Sequence, residues 1–238
     1  MLACKRCSST SLIKRGIVSG KQRYQCKDCE YYFRPGDDRT NEKIGAKKAL
    51  CVLFYAKAKG SFRMLGHLFG VHHTQVYRRI RNFGESLPEP VVPENITEME
   101  FDELWHFVVK KKKLWVLKAV DRRTRQTVAW VLGKRDTATF RRLYDKVKHL
   151  KHCTFYTDAW DAFAKVVPPE KHVIGKEHTI CIEQDNSNVR HHLGRFTRRT
   201  KVVSKCKEMV DLSLRIGNAV TTTNLFKMLK EKIISIFE

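Results

Sequence analysis

The stretch FYTDAWDAF (Phe155–Phe163) places a carboxylate, Asp158, where a short apolar strand gives way to a helix. An isolated carboxylate is unfavourable to bury, so such a residue is exposed, paired, protonated or bound to a cation. A strand that leads directly into a helix is typical of an α/β domain. We therefore expect Asp158 to lie at a structural junction of such a domain.

The runs on either side of this stretch extend the α/β pattern. EMEFDELWHFVV, KLWVLKAVDRRT and TVAWVLG precede it and read as three strands, followed by an amphipathic helix in DTATFRRLYDKVKHL. KHVIG follows it as a last strand, and from Cys181 onward the pattern is mostly helical. The order of elements predicts a mixed α/β domain over residues 98–238.

The composition indicates a folded protein that binds a polyanion. Of the 238 residues 42% are hydrophobic, which is enough for a core, and the formal net charge is +22. Nucleic acid is the commonest large polyanion, although a ribosomal or otherwise merely cationic protein fits the charge as well. No apolar run is long enough to cross a bilayer and the N-terminus lacks a secretory signal, so we expect a cytoplasmic protein without a membrane partner.

Two matching cysteine pairs mark the N-terminal module, residues 1–38. Cys4 and Cys7 form one pair and Cys26 and Cys29 the other, with two residues inside each pair. Each pair can point two thiolates at one tetrahedral ion, so the spacing predicts a zinc ribbon with a single structural Zn²⁺. Free cysteine pairs or a redox dithiol are the alternatives.

Residues 39–86 carry the pattern of a helix-turn-helix. Two short helical patterns meet at Gly70-Val71, and the second has an apolar face and a basic face. An ordinary helical hairpin with a solvated basic face is the alternative. The proline-rich stretch at 87–97 is expected to be a linker. On the basic face the residues expected to contact DNA are His73, Gln75, Arg78, Arg79 and Arg81.

Three acids stand at the ends or starts of predicted elements of the α/β domain. Asp102 lies in the first strand, Asp158 ends the fourth strand, and Glu183 begins the helical region. Carboxylates that converge can hold divalent cations, and a pair of such ions supports phosphoryl transfer. For any single acid a cap, turn or surface salt bridge is the alternative, and it is the preferred interpretation for Asp121 and Asp136.

A basic segment follows the third acid. Residues 190–207 contain seven lysines and arginines and no acid, which suits a track for DNA phosphates. The members expected to contact DNA are Arg190, Arg195, Arg198, Arg199 and Lys201.

The motifs DELW, LWVLKAVDRRT, YTDAW and IEQDNSNVR, preceded by the ribbon and the helix pair, resemble the insertion-sequence-one family of transposases along nearly the whole chain. The resemblance implies a ribonuclease-H-like catalytic domain with an Asp-Asp-Glu triad at Asp102, Asp158 and Glu183. It also implies a basic residue seven positions after the glutamate, here Arg190. Ala159 departs from the family, which commonly has glycine after the second aspartate.

The resemblance further implies cofactors, partners and an activity. Two Mg²⁺ or Mn²⁺ ions would serve cleavage of element ends and transfer of the 3′ hydroxyl to target DNA. The partners would be double-stranded DNA, both terminal repeats and target, and further copies of the chain on the DNA ends, at the nucleoid. A catalytically inactive DNA-binding repressor and a ribonuclease-H-type nuclease acting on RNA–DNA hybrids are the alternatives.

Overall fold

A small antiparallel sheet follows the first cysteine pair. Its strands pair in the order β1-β2-β3 and are Leu12–Val18 (β1), Lys21–Cys26 (β2) and Tyr32–Phe33 (β3). The computed structural model describes residues 2–36, 42–109, 112–198 and 202–234. By their contacts, residues 1–50 with 229–238 make up one unit of the chain and residues 51–228 the other.

Three helices come next along the chain: Glu42–Lys57 (α1), Phe62–Phe69 (α2) and His73–Ser86 (α3). The hydroxyl of Ser61 accepts a hydrogen bond from the Met64 backbone N–H at 3.1 Å and caps the start of α2. Gly70 ends α2 with φ +63°, a left-handed conformation that favours glycine. The chain therefore turns sharply into α3, at the break that the sequence predicts.

A five-stranded mixed sheet forms the centre of residues 51–228. Its strands pair in the order β6-β5-β4-β7-β8, with β4, β5 and β6 antiparallel and with β7 and β8 parallel to β4. They are Glu98–Val108 (β4), Lys112–Asp121 (β5), Gln126–Gly133 (β6), Thr154–Thr157 (β7) and His172–Ile174 (β8).

Helices pack on both faces of this sheet, which gives a three-layer arrangement. The remaining helices are Thr137–Val147 (α4), Asp161–Ala164 (α5), Ile180–His192 (α6), Lys207–Thr222 (α7) and Leu225–Ile234 (α8). Each face of the sheet has its own hydrophobic core. On one face Phe101 packs with Phe140 of α4 and Phe163 of α5, and on the other Leu104 packs with Leu193 and Val210. Because side chains alternate along a strand, Asp102 lies on the face that α6 and α7 cover.

Helix α3 packs closely on α7. A Cβ at Gly84 would lie 3.1 Å from Leu212 Cβ and 3.3 Å from the end of Ile216, so any larger residue would push the helices apart. Val76 and Ile80, on the same side of α3 as Gly84, are fully buried. This packing turns the opposite face of α3, with its basic residues, toward solvent.

The structure confirms the mixed α/β architecture and the predicted roles of two acids. Asp121 accepts hydrogen bonds from the Arg123 backbone N–H and the Thr124 hydroxyl, as expected of a turn residue. Asp136 accepts one from the Thr139 backbone N–H at 2.8 Å and caps α4. Residues 87–97 contain neither helix nor strand. Among the described residues, no helix is long and apolar enough to cross a membrane.

Candidate active site

The parallel pairing of β4 and β7 brings Asp102 and Asp158 into the same region of the sheet. The register pairs Glu98 with Thr154 and ends at the pair Glu100–Tyr156. Each aspartate follows its member of that last pair by two residues, Asp102 on β4 and Asp158 just past the end of β7. The strand pairing therefore accounts for the proximity of the two carboxylates that the sequence predicts.

Helix α6 carries Glu183 to the same place. The Ile182 backbone N–H donates to Glu100 Oε2 at 2.8 Å, and Asn186 Nδ2 donates to Asp102 Oδ2 at 2.9 Å. These two contacts hold the first turns of α6 against β4. Glu183 lies between them in sequence and is exposed at the surface of the helix.

Asp102, Glu103 and Glu183 line a cleft of about 560 Å³ whose other lining residues are basic or polar. Asp158 does not line this cleft; its Oδ1 accepts the Trp160 backbone N–H at 3.0 Å, which fixes the carboxylate at the start of the following helix. The residues lining the cleft are Asp102, Glu103, Glu183, Asn186, Ser187, Arg190, His191, Thr197 and Arg198.

The carboxylates repel one another. Burial, and after it the negative charges of Glu103, Asp158 and Glu183, raise the pKa of Asp102 to about 7, against a backbone hydrogen bond at Glu103 that lowers it. Burial also lowers the pKa of the Arg190 guanidinium, and the charge of Arg198 adds to this effect. The cleft therefore holds carboxylates and guanidinium groups together.

The three carboxylates share a neighbourhood without meeting at one point. In the part of the chain that the structure describes, the four cysteines are the one group of three or more Cys, His, Asp or Glu ligand atoms within 4.8 Å of each other. The acids are thus brought to one edge of the sheet, at wider spacing than the thiols.

A second acid of the DELW motif, Glu103, belongs to this region and was not singled out from the sequence as a site residue. Arg135 Nε donates to Glu103 Oε1 at 2.6 Å, and the Arg135 guanidinium lies 4.6 Å from the Trp160 ring centroid. The Glu103 side chain is only 8% exposed, and its other oxygen, Oε2, is buried with no hydrogen-bond partner among the described residues. A carboxylate oxygen in this position can accept a cation or a proton.

Sequence reasoning also missed two buried residues behind Asp102. Lys118, directly opposite Asp102 on β5, is 1% exposed and donates to Asp185 Oδ2 and to Asn186 Oδ1, the latter at 3.2 Å. The signals were present: a lone lysine inside the apolar run LWVLKAV, and an asparagine one helical turn after Glu183.

The four cysteines lie as the spacing predicts. Cys4 Sγ is 3.6 Å from Cys29 Sγ, and Cys7 Sγ is 3.5 Å from Cys26 Sγ. Zn–S bonds of about 2.3 Å put the sulfurs of a tetrahedral site about 3.8 Å apart, so the thiols are placed as zinc ligands would be.

The backbone makes the same turn after each cysteine pair. Ser8 and Glu30, each just after the second cysteine, have φ +60° and +55°. The Cys4 N–H donates to Ser9 O and the Cys26 N–H to Tyr31 O, five residues on in both cases. This cluster of two matched turns fits a zinc ribbon.

The predicted DNA contacts differ in their placement. On α3, Arg79 is half-buried and the other residues are exposed, and Arg198 is exposed beside the cleft. Arg195 is 6% exposed and donates to Tyr55 Oη and Ser204 Oγ, so the expectation that it contacts DNA was wrong: it ties buried polar groups together. Arg199 and Lys201 lie outside the described residues.

The α/β region matches the family model described as IS1 transposase over residues 95–224, more than half of the chain. InsB of insertion element IS1 from Shigella flexneri is 36% identical over 113 residues, covering 47% of this chain and 86% of InsB. InsB of IS1 2 from Escherichia coli K12 is 35% identical over 113 residues, covering 47% and 68%.

Among solved structures the chain is similar to one from a cryo-EM study of a simian T-cell lymphotropic virus intasome in complex with the PP2A regulatory subunit B56 gamma. The TM-score is 0.31 at 15% identity, over 59% of this chain and 57% of that one. The family model covers the sheet, the acids and the helices around them, the InsB relatives share more than a third of the residues they match, and on that ground this chain belongs to the IS1 transposase family.

Proposed function

We propose that this transposase binds the ends of its own insertion element and cleaves and joins DNA at Asp102, Asp158 and Glu183. The observation that carries the proposal is that two adjacent parallel strands and a helix bring three acids to one region of the sheet, beside a cleft lined by arginines. The strand order, with helices on both faces, supports a ribonuclease-H-like catalytic domain.

The donor set suits two Mg²⁺ or Mn²⁺ ions. Carboxylate oxygens are the ligands that these hard cations prefer, and burial, followed by the charges of the neighbouring carboxylates, raises the pKa of Asp102. Asp102 and Asp158 would hold the ions and Glu183 would complete the ligand set. When bound, such ions activate an attacking oxygen and stabilise a leaving one.

The arginines of the cleft would orient the DNA. Arg190 and Arg198 line the same cleft as Asp102, where they would hold a phosphate next to the reacting one. Asn186, bonded to Asp102 Oδ2, would keep that carboxylate turned toward the cleft. These residues position substrate and ligand; no covalent protein–DNA intermediate is required.

The N-terminal region would supply recognition of the DNA ends. The four cysteines would hold one structural Zn²⁺, and α2 with α3 would act as a helix-turn-helix whose exposed residues enter the major groove. Gln75 and Arg78 point away from the buried Val76 and Ile80, as a reading face requires. Action on chromosomal DNA by paired ends would imply a homo-oligomer working at the nucleoid in the cytoplasm.

The test compares Asp158→Asn with Asp161→Asn, an exposed acid three residues further on. Strand transfer is measured with the element's own end DNA and Mg²⁺, and end binding is measured by mobility shift. We expect Asp158→Asn to bind ends normally and to lose at least about 100-fold in strand transfer, since a metal ligand is removed. Asp161→Asn should transfer strands like the natural chain.

Three outcomes would contradict the proposal. Strand transfer by Asp158→Asn at the natural rate would remove Asp158 from the reacting centre. A natural chain that binds ends but never nicks them with Mg²⁺ or Mn²⁺ would instead be a repressor, and preferred cleavage of an RNA–DNA hybrid would indicate a ribonuclease.

A further inference from the structure

A second cleft, of about 730 Å³, continues from the candidate active site along the edge of β4. Strand β7 pairs with β4 only as far as Glu100, and the next pairing on that edge within the described residues is the bridge between Val108 and Ser204. Between these two pairings, this edge of β4 pairs with no backbone of the residues that the structure describes. The two clefts share three lining residues, Arg190, Thr197 and Arg198.

Two aromatic rings form the floor of this second cleft. Trp105 and Phe107 are each 41% exposed, and their rings meet edge to face with centroids 4.9 Å apart. Val109 and Val203, 51% and 60% exposed, continue the apolar surface. Exposed aromatic side chains in a contiguous patch mark a binding surface more often than scattered ones do.

The charges around the rings select the kind of occupant. Arg190 and Arg198 lie at the boundary with the acidic cleft, and Lys113 Nζ lies 5.1 Å from the Trp105 ring centroid. None of the described residues that line this second cleft is an acid, whereas the adjoining cleft contains three. Aromatic faces flanked by cations are the surfaces on which unpaired nucleotides stack.

We propose that this cleft, defined by Trp105 and Phe107, receives one unpaired nucleobase of the DNA end next to the phosphate being cleaved or joined. The proposal rests on the proposed function, because the carboxylate cleft fixes where the reacting phosphate lies. The base would stack on the rings, and its own phosphate would lie against Arg190 and Arg198. Taking a base out of the duplex is favoured when a stacking surface replaces its neighbours.

The test is a double-mutant cycle in which one change removes a base from the DNA and the other removes an aromatic ring from the protein. Pre-nicked duplexes of the element's end are made with one abasic site at a time, at each of the several positions flanking the nick. Their affinities are measured by fluorescence anisotropy without added Mg²⁺, for the natural chain, Trp105→Ala and Phe107→Ala. Phe226→Ala, an aromatic residue that is 47% exposed on α8, is the matched control.

We expect one abasic position to weaken binding by the natural chain about 5- to 150-fold, the range of a lost base–aromatic stack. Trp105→Ala and Phe107→Ala should weaken binding of intact ends similarly, and the abasic site should then add less than about twofold. Phe226→Ala should behave like the natural chain. Trp105→Leu, which keeps apolar bulk, should show the same loss if the alanine variant does not fold.

Three results would overturn the proposal. The first is that no abasic position weakens binding, and the second is that the fold-losses in affinity from the abasic site and from the ring removal multiply, as independent effects do. The third is that Trp105→Ala changes only the oligomeric state. The last would make the patch a contact between copies of the chain. The readout is binding rather than catalysis, so this inference can fail while Asp158→Asn still abolishes strand transfer. Conversely, it can succeed if Asp158→Asn proves active.

Discussion

Lys118 offers the sharpest test of how the interior supports the acidic cleft. Its ammonium is 1% exposed and donates to Asp185, which also accepts the Thr127 hydroxyl at 2.7 Å, and to Asn186 Oδ1. A lysine can only donate, so Asn186 must turn its oxygen toward Lys118 and its N–H₂ toward Asp102. One buried cation thus holds a charge partner and fixes the orientation of an amide.

Lys118→Met removes the cation while roughly keeping the length of the side chain. Breaking a buried ion pair from one side costs about 3–5 kcal/mol of the free energy of unfolding. We expect the lower end, about 3 kcal/mol, because the Asp185 side chain is 21% exposed and keeps Thr127. The double variant Lys118→Met with Asp185→Asn also removes the unpaired negative charge of Asp185, so its free energy of unfolding should fall by only about 1 kcal/mol.

Urea unfolding followed by tryptophan fluorescence measures these changes, because all four tryptophans lie in residues 51–228. The two variants also separate stability from positioning. The double variant should be stable yet remain impaired in strand transfer, with a higher Mg²⁺ requirement, because nothing orients Asn186 against Asp102. Equal stability of the single and double variants, or natural strand transfer by the double variant, would refute this reasoning.

Three further changes probe other parts of the chain. Burial, and after it the charge of Arg195, lowers the pKa of His106 in the folded chain to about 4, so the unfolded chain takes up the proton at higher pH. The free energy of unfolding should therefore fall by up to about 3 kcal/mol from pH 6.5 to 4. His106→Gln should remove that slope in urea titrations. Asp136→Ala should destabilise by about 1 kcal/mol because α4 loses its cap, with a lowered thermal midpoint as the readout. A strong chelator, or Cys7→Ser, should release about one zinc per chain by elemental analysis and abolish end binding, whereas intact binding after complete zinc loss would contradict a structural metal.

The sequence allowed the architecture to be predicted because its signals are local. Asp136 has a capping position, Gly70 ends a helix, and apolar runs of strand length alternate with an amphipathic helix, so each element could be derived from its own residues. The cysteine cluster was predictable for the same reason, since two tight pairs can serve one ion.

The supporting residues of the cleft could not be predicted because they depend on strand register. Lys118 faces Asp102 only because β4 and β5 pair in one register, and Arg195 is buried only because Tyr55 and Ser204 meet it from distant parts of the chain. Charge alone made Arg195 resemble Arg198, although one satisfies interior hydroxyls and the other is exposed to solvent. Burial of a cation is a property of the tertiary structure, which local patterns do not encode.

The open edge of β4 between Glu100 and Val108 has a consequence for handling this protein. Backbone groups along an unpaired strand can recruit a strand of another molecule, and here they lie beside the exposed rings of Trp105 and Phe107. A short polyanion such as heparin would cover the adjoining arginines and crowd that edge. We therefore expect purified protein without DNA to precipitate first at high salt, where the repulsion between copies of net charge +22 is screened, and an aspartate in place of Val109 to delay it.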